Sequence, residues 1–329
     1  MSQPVDASRP TLADVFHARR VIAPHILRTP LIRSEPLSAR LGREVHLKLE
    51  TLQTTGSFKL RGATNHLLHL GEEERARGVV AVSSGNHARA VAHAARALGV
   101  PATLFMSSLV PAHKVAAVAA LGAEVRIVGD SQDEAEAEAL RLCERDGRPY
   151  LSPFDDPLVL AGQGTLGLEI VEDLPEVDTV MVPLSGGGLI SGVALALKSA
   201  SPRIRVIGIT MDQGAAMYES QRAGRTVDVV EVRSLADALG GGIGGSNRWT
   251  FAMVRDLVDE MVLVSEDEIA AAMRWCYWQE AQVVEGGGAV GVAALLAAKA
   301  EHLGERVVVV LSGRNVDMQR FTGIAARPE

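Results

Sequence analysis

The chain has 329 residues, 47% of them apolar, and a mean hydropathy of +0.14, enough apolar material to bury the cores of about two domains. Its net charge of −7 is dispersed, which excludes the clustered Lys and Arg footprint of a nucleic-acid-binding protein. No run approaches the ~18 consecutive apolar residues of a membrane helix, and Cys143 and Cys276 lack disulfide or metal-ligand spacing, so they read as small core residues.

Met1 to Asp6 has neither a basic nor an apolar leader region, so a cytoplasmic location is expected. The first stretch that carries chemistry is Thr55-Gly56-Ser57-Phe58-Lys59-Leu60-Arg61-Gly62-Ala63. A lysine serves as a Schiff base only if its amine can shed a proton, which needs a desolvated seat beside an apolar group. Phe58 offers Lys59 such a seat. Alone, the segment also fits a solvated lysine in a turn before a helix.

Short β-branched runs then alternate with helical patterns, the mark of parallel sheets covered on both faces. The first block has strands at Val79 to Val82, Thr103 to Met106 and Val125 to Val128. Helices are predicted from about Asn86 to Leu98, through Lys114 to Leu121, and from Asp133 to Glu144. The last of these opens on Asp133 and Glu134 and reaches Arg141 near its end, the charge order a helix dipole favours, and its acidic run reads as a solvated face. The second block has strands at Val180 to Leu184, Val206 to Ile209, Val262 to Val264 and Val307 to Leu311, with a helix ending near Ser199. Ser265 and Glu268 form a capping box for a helix carrying Trp275 and Trp278, which read as packing residues. About 18 residues follow the last strand, so no appended regulatory domain is expected.

Four glycine turns stand out among 32 glycines. Leu184-Ser185-Gly186-Gly187-Gly188-Leu189 leaves a strand and enters a helix, where free amides and the helix dipole favour an anion. It also fits a plain tight turn. Gly186, Gly188 and Gly192 give G-x-G-x-x-x-G and not the G-x-G-x-x-G of a dinucleotide site, so one compact phosphate fits better than a pyrophosphate. Val82-Ser83-Ser84-Gly85-Asn86-His87 can hold a carboxylate and a ring hydroxyl together, or can be an ordinary Ser/Asn helix cap. The third turn is Leu311 to Asp317, and Glu285-Gly286-Gly287-Gly288-Ala289 opens a late helix. Such turns gather at the carboxyl ends of strands in open α/β sheets, which implies one crowded site.

The order of these motifs resembles the fold-type II pyridoxal-phosphate enzymes, the tryptophan synthase β-like group that includes threonine dehydratase and serine racemase. The matching segments are Arg28-Thr29-Pro30-Leu31, Lys48-Leu49-Glu50, Gly56 to Ala63, Ser83 to His87, Ser185 to Leu189 and Ser312 to Asn315. Within the family the chain looks most like the hydroxyectoine-utilisation dehydratases, through Gly313 to Met318. The resemblance implies an α/β fold of two open, twisted, mostly parallel sheets flanked by helices. A small domain at 78–150 would be inserted in a large cofactor domain made of 1–77 and 151–329. It implies pyridoxal 5'-phosphate bound as a Schiff base on Lys59, which later moves the α-proton. Phe58 would flank the ring, Asn86 would meet the ring hydroxyl, and Ser312 would face the pyridine nitrogen. Ser185, Gly186, Gly187, Gly188 and Leu189 would cradle the phosphate, with Glu285 near the ring. Ser83, Ser84, Gly85 and His87 would hold the substrate carboxylate, and Ser84 would carry a proton on the far face. A homodimer or higher homo-oligomer is expected.

A hydroxyl at Ser312 cannot stabilise a full pyridinium charge as a carboxylate would, so the electron sink is modest and suits prompt loss of a β-hydroxyl. The expected reaction is therefore elimination of water from a β-hydroxy-α-amino acid with release of ammonia. A hydroxylated diaminobutyrate from hydroxyectoine is the substrate the resemblance implies, with threonine or serine second and racemisation of serine or aspartate as the rival isomerase reading. A non-catalytic phosphate-ligand binder and a nicotinamide dehydrogenase are the remaining rivals. Two departures from the family bear on the substrate: Arg314, where relatives carry glycine, and the Leu239 to Gly245 loop, including Gly241. Thr210-Met211-Asp212-Gln213 lacks the paired acids that relatives use for a divalent ion, so no metal is expected.

Overall fold

A computed structural model describes residues 8–245 and 247–326. The leader reading of Met1 to Asp6 lies outside the described residues. The chain begins with α1 (Leu12–Ile22), β1 (Leu31–Arg33), α2 (Glu35–Leu41), β2 (Glu44–Leu49), α3 (Lys59–Leu68) and α4 (Glu72–Arg77). A parallel three-stranded sheet follows: β3 (Val79–Val82), α5 (Asn86–Leu98), β4 (Ala102–Met106), α6 (Ala112–Ala119), β5 (Glu124–Ile127) and α7 (Gln132–Asp146). The remainder runs α8 (Pro157–Asp173), β6 (Thr179–Pro183), α9 (Gly188–Ala200), β7 (Arg205–Met211), α10 (Ala216–Ala223), α11 (Thr250–Leu257), β8 (Glu260–Val264), α12 (Glu266–Trp278), α13 (Gly286–Leu296), β9 (Arg306–Leu311) and α14 (Met318–Ala325).

The second sheet has six strands in the order β1-β2-β9-β6-β7-β8, all parallel except β1. The β-branched run of β9 is buried on both faces, which is why it reads as continuous and not alternating. Val307, Val309 and Leu311 enter the core under α12 and α13, and Val308 and Val310 enter the core under α8 and α9. Gly291 lets α13 lie close on β9, since a Cβ there would sit 2.6 Å from Val309 Cγ1. The small sheet shares its core with α3 and α8, because Leu60, Ala63, Leu67 and Val159 pack with Ala81, Val91 and Leu104. This shared core fixes α3, and so Lys59, between the two sheets.

The predicted strands all form, with ends shifted by one to two residues. Ser265 and Glu268 make the expected capping box. Three side-chain expectations need correction. Cys276 is buried but Cys143 is only half-buried against a small cluster. Trp275 is in the core, whereas Trp278 is 65% exposed and is held by its Nε1 donating to Ala325 O at 2.9 Å. The acidic face of α7 is not wholly solvated, since Glu136 accepts the Tyr150 hydroxyl at 2.8 Å. No described helix is long and apolar enough to cross a membrane. Among the described residues no cluster of three or more His, Cys, Asp or Glu is placed to hold a metal ion, and Asp212 is exposed.

Candidate active site

Lys59 opens α3 directly after Phe58. The loop before it is stitched to the turn after β9: Phe58 N donates to Ser312 O at 3.1 Å, Arg314 N donates to Gly56 O at 2.9 Å, and Ser57 bridges Gly313. The Lys59 amine lies 5.2 Å from the centre of the Phe58 ring and donates to Pro153 O. Desolvation in this seat pulls its pKa down to about 8. The Phe58 ring is one apolar group beside this amine. Capture of the cofactor by cofactor-free protein should accelerate as pH rises through about 8, because only the neutral amine attacks a carbonyl. Stopped-flow absorbance would check this, and a flat profile from pH 6.5 to 9 would contradict it.

The phosphate-type turn follows β6. Gly187 takes φ +87° as the N-cap of α9, and no side chain caps this helix. By contrast, α7, α8, α12 and α14 receive caps from Ser131, Asp156, Ser265 and Asp317. The first-turn amides of α9 are thus left for an external anion. The Phe154 ring lies against this turn, and a Cβ on Gly186 would stand 2.5 Å from it. Asp155 accepts the amides of Arg248, Trp249 and Thr250 at 2.7–3.0 Å, and Thr250 in turn packs on Gly187. The 153–155 segment thus joins the lysine, the phosphate turn and the start of α11. None of its residues was singled out from sequence, although Pro153 and Pro157 bracketing a Phe-Asp-Asp run marked a stiff connection.

The turn after β3 starts α5 at Gly85, again without a side-chain cap, so the ordinary Ser/Asn cap is not formed. Ser83 Oγ accepts Gly85 N at 3.2 Å, and Ser84 is half-buried beside it. His87 departs from expectation. Its imidazole is buried, with Nε2 3.0 Å from Leu151 O, and burial together with nearby Lys59 lowers its pKa to about 3. The ring is neutral and engaged, so His87 can reach a carboxylate only through its backbone amide in the first turn of α5.

Asn86 at the start of α5 and Glu285 at the N-cap of α13 meet. Asn86 Nδ2 donates to Glu285 Oε1 at 2.6 Å, and Glu285 N donates to Gly313 O at 3.1 Å. Burial pushes the Glu285 carboxyl up to about 7, helped by Asp237 and opposed by Asn86, the Asn315 backbone amide and Lys114. Lys114 on α6 and Asp237 pair at 3.6 Å. The Glu285 turn opens α13 as expected from sequence, follows α12 and docks onto the turn after β9. Gly313 permits the fit, since a Cβ there would lie 2.3 Å from Glu285 Oε1. Ser312 is buried at the end of β9. Arg314 is exposed and makes no ion pair among the described residues, while Gly241 takes φ +95° in an open loop with no neighbour within 4 Å. Asn315, quoted in the motif but given no role, proves central: its Nδ2 donates to Thr55 O at 2.8 Å and to Asn86 Oδ1 at 2.7 Å.

A desolvated amine, an uncapped glycine turn and a buried hydroxyl at a strand end fit pyridoxal phosphate. The family described as "Pyridoxal-phosphate dependent enzyme" matches residues 22–313. The chain is 48% identical to L-threonine ammonia-lyase of Thermotoga maritima, over 95% of this chain and 78% of that one. It is 42% identical to the catabolic L-threonine dehydratase of Escherichia coli K12, over 94% of each. The structure of maize serine racemase superposes with a TM-score of 0.91 at 36% identity, covering 96% of this chain and 97% of that one. The protein therefore belongs to the pyridoxal-phosphate-dependent enzymes, in the fold-type II group of threonine dehydratases and serine racemases.

Proposed function

We propose that the enzyme is a lyase that removes water from a β-hydroxy-α-amino acid and releases ammonia, with L-threonine or L-serine as substrate. The observation that carries this reading is Lys59, a proton-accepting amine held at about 8 where the Ser312 and Phe154 segments meet. Bound pyridoxal phosphate supplies the electron sink that makes the substrate α-hydrogen acidic. Lys59 takes that proton. Amides of Gly186 to Leu189 would hold the cofactor's phosphate, the Ser312 hydroxyl would face its pyridine nitrogen, and Asn86 would meet its ring oxygen. Amides of Ser84, Gly85 and His87 hold the substrate carboxylate, and Ser84 carries a proton on the opposite face. Loss of the α-proton and the β-hydroxyl gives water and an enamine acid, which takes up one water on hydrolysis to give a 2-keto acid and ammonia.

The named relatives act on threonine, which supports threonine ahead of the hydroxylated diaminobutyrate that the sequence resemblance favoured. Arg314 is exposed, and a Cβ on Gly241 would meet nothing within 4 Å. Residues 78–150 as an inserted small domain, a cytoplasmic location and assembly as a homodimer belong to the same proposal. Ammonia release by holoenzyme should be fastest with threonine or serine; fastest turnover of a hydroxylated diaminobutyrate would move the assignment to hydroxyectoine catabolism. Chiral analysis of the unreacted amino acid tests the racemase alternative.

A further inference from the structure

We propose that Asn315 is a positioning residue for this reaction: it holds the Asn86 side-chain amide in one orientation, so that Asn86 presents an N–H, and not a carbonyl, to the ring oxygen of the bound cofactor. The inference rests on the reading above that Asn86 meets that oxygen.

Backbone carbonyls only accept hydrogen bonds, so the Asn315 atom 2.8 Å from Thr55 O must be its nitrogen. The second hydrogen of the same nitrogen points to the Asn86 side chain at 2.7 Å, which makes the facing atom of Asn86 its oxygen. Flipping either amide would set two oxygens or two N–H groups against each other. With its oxygen held, Asn86 turns Nδ2 to Glu285 Oε1 at 2.6 Å and keeps one N–H unspent. An N–H donor favours an anionic ring oxygen, whereas a carbonyl would oppose it.

The backbone is shaped around Asn315. Gly56 takes φ +77°, and a Cβ there would stand 2.6 Å from Asn315 Oδ1. The segment that ends in Lys59 therefore closes directly over this side chain. Charged groups facing the far end of the relay are Asp237 and Lys114, and the Asn315 backbone amide adds to the stabilisation of ionised Glu285. Thr55, Asn315, Asn86 and Glu285 thus form one chain of contacts, running from the lysine loop through the turns after β9 and before α5 to the N-cap of α13.

The test reads the pH titration of the visible absorbance of holoenzyme in Asn315→Ala, Asn315→Asp and Asn86→Ala. Cofactor attachment at Lys59 is checked separately by borohydride trapping and mass spectrometry. Asn315→Ala should raise the absorbance midpoint by about half a pH unit, a threefold change in proton affinity, and lower kcat with little change in KM. Asn315→Asp, which sets an oxygen against two oxygens, should shift it further. Asn315→Ala should add nothing in an Asn86→Ala background, since it acts through Asn86. If Asn315→Ala does not fold, Asn315→Ser carries the same readouts. A wild-type midpoint in the Asn315 variants, with Asn86→Ala shifted, overturns the inference alone. A wild-type midpoint in Asn86→Ala overturns the reading of Asn86 beneath it, and the inference with it.

Discussion

Lys59→Ala is expected to lose the visible absorbance of the bound cofactor and to reduce ammonia release by about 10⁴-fold, the upper end for removal of a positioned proton carrier. The size of the effect follows from two duties on one amine. In the proposed mechanism it makes the covalent link, and it accepts the proton that must leave before the hydroxyl can. A depressed pKa serves both, since an amine at about 8 is partly neutral near physiological pH where an ordinary lysine is almost wholly charged. Lys59→Arg keeps the charge but has no amine that can deprotonate, so it should fail equally. Activity retained within tenfold in Lys59→Ala would instead show that Lys59 is not the proton carrier of the reaction.

Arg61→Ala is expected to destabilise the fold by about 3–5 kcal/mol, the range for breaking a buried ion network on one side. Arg61 is fully buried two residues beyond Lys59. Its guanidinium donates Nε and Nη2 to Glu50 at 2.9 and 2.8 Å, and Nη1 and Nη2 to Glu169 at 2.7 and 2.9 Å. Lys48 Nζ closes the network on Glu169 at 2.7 Å and Thr29 O at 2.7 Å, and Thr29 Oγ1 donates to Glu50. Two cations and two carboxylates balance, so removing one leaves its partners buried and uncompensated. Burial alone would raise the Glu169 carboxyl, but Arg61 and Lys48 hold it below the usual glutamate range. A depressed carboxylate contributes stability that is present above its unfolded value and lost as pH falls through the folded one. The deficit of Arg61→Ala should therefore shrink in acid. Urea unfolding at pH 7 and at pH 4 would measure both effects. Arg61→Lys should recover only part of the loss, because an ammonium cannot serve two carboxylates bidentately. A change below about 1 kcal/mol, the scale of a surface pair, would show that the network does not anchor α3.

Much of the site was legible because its signals are local. Strand runs such as Val79–Val82, the Ser265 capping box and the glycine turns depend on residues a few positions apart. The same holds for Phe58 beside Lys59, where one bond of separation supplied the desolvating neighbour. Less could be said of His87, since the sequence placed it in the carboxylate turn without showing that its ring is engaged by Leu151 O. Nothing local showed the roles of Asn315 or Asp155, because their partners lie 229 and 260 residues away in one case and 93 to 95 in the other.

The sequence by itself therefore determined the alternating architecture and the glycine turns, and it marked Lys59 as the candidate Schiff-base residue, since backbone preference and nearest-neighbour chemistry act over a few residues. Tertiary structure alone decided which turns meet, how Glu285 rises to about 7, and how four charges around Arg61 come to be buried together. Desolvation and ion pairing depend on distance through space, and in a chain where β2 pairs with β9 that distance is unrelated to separation along the sequence.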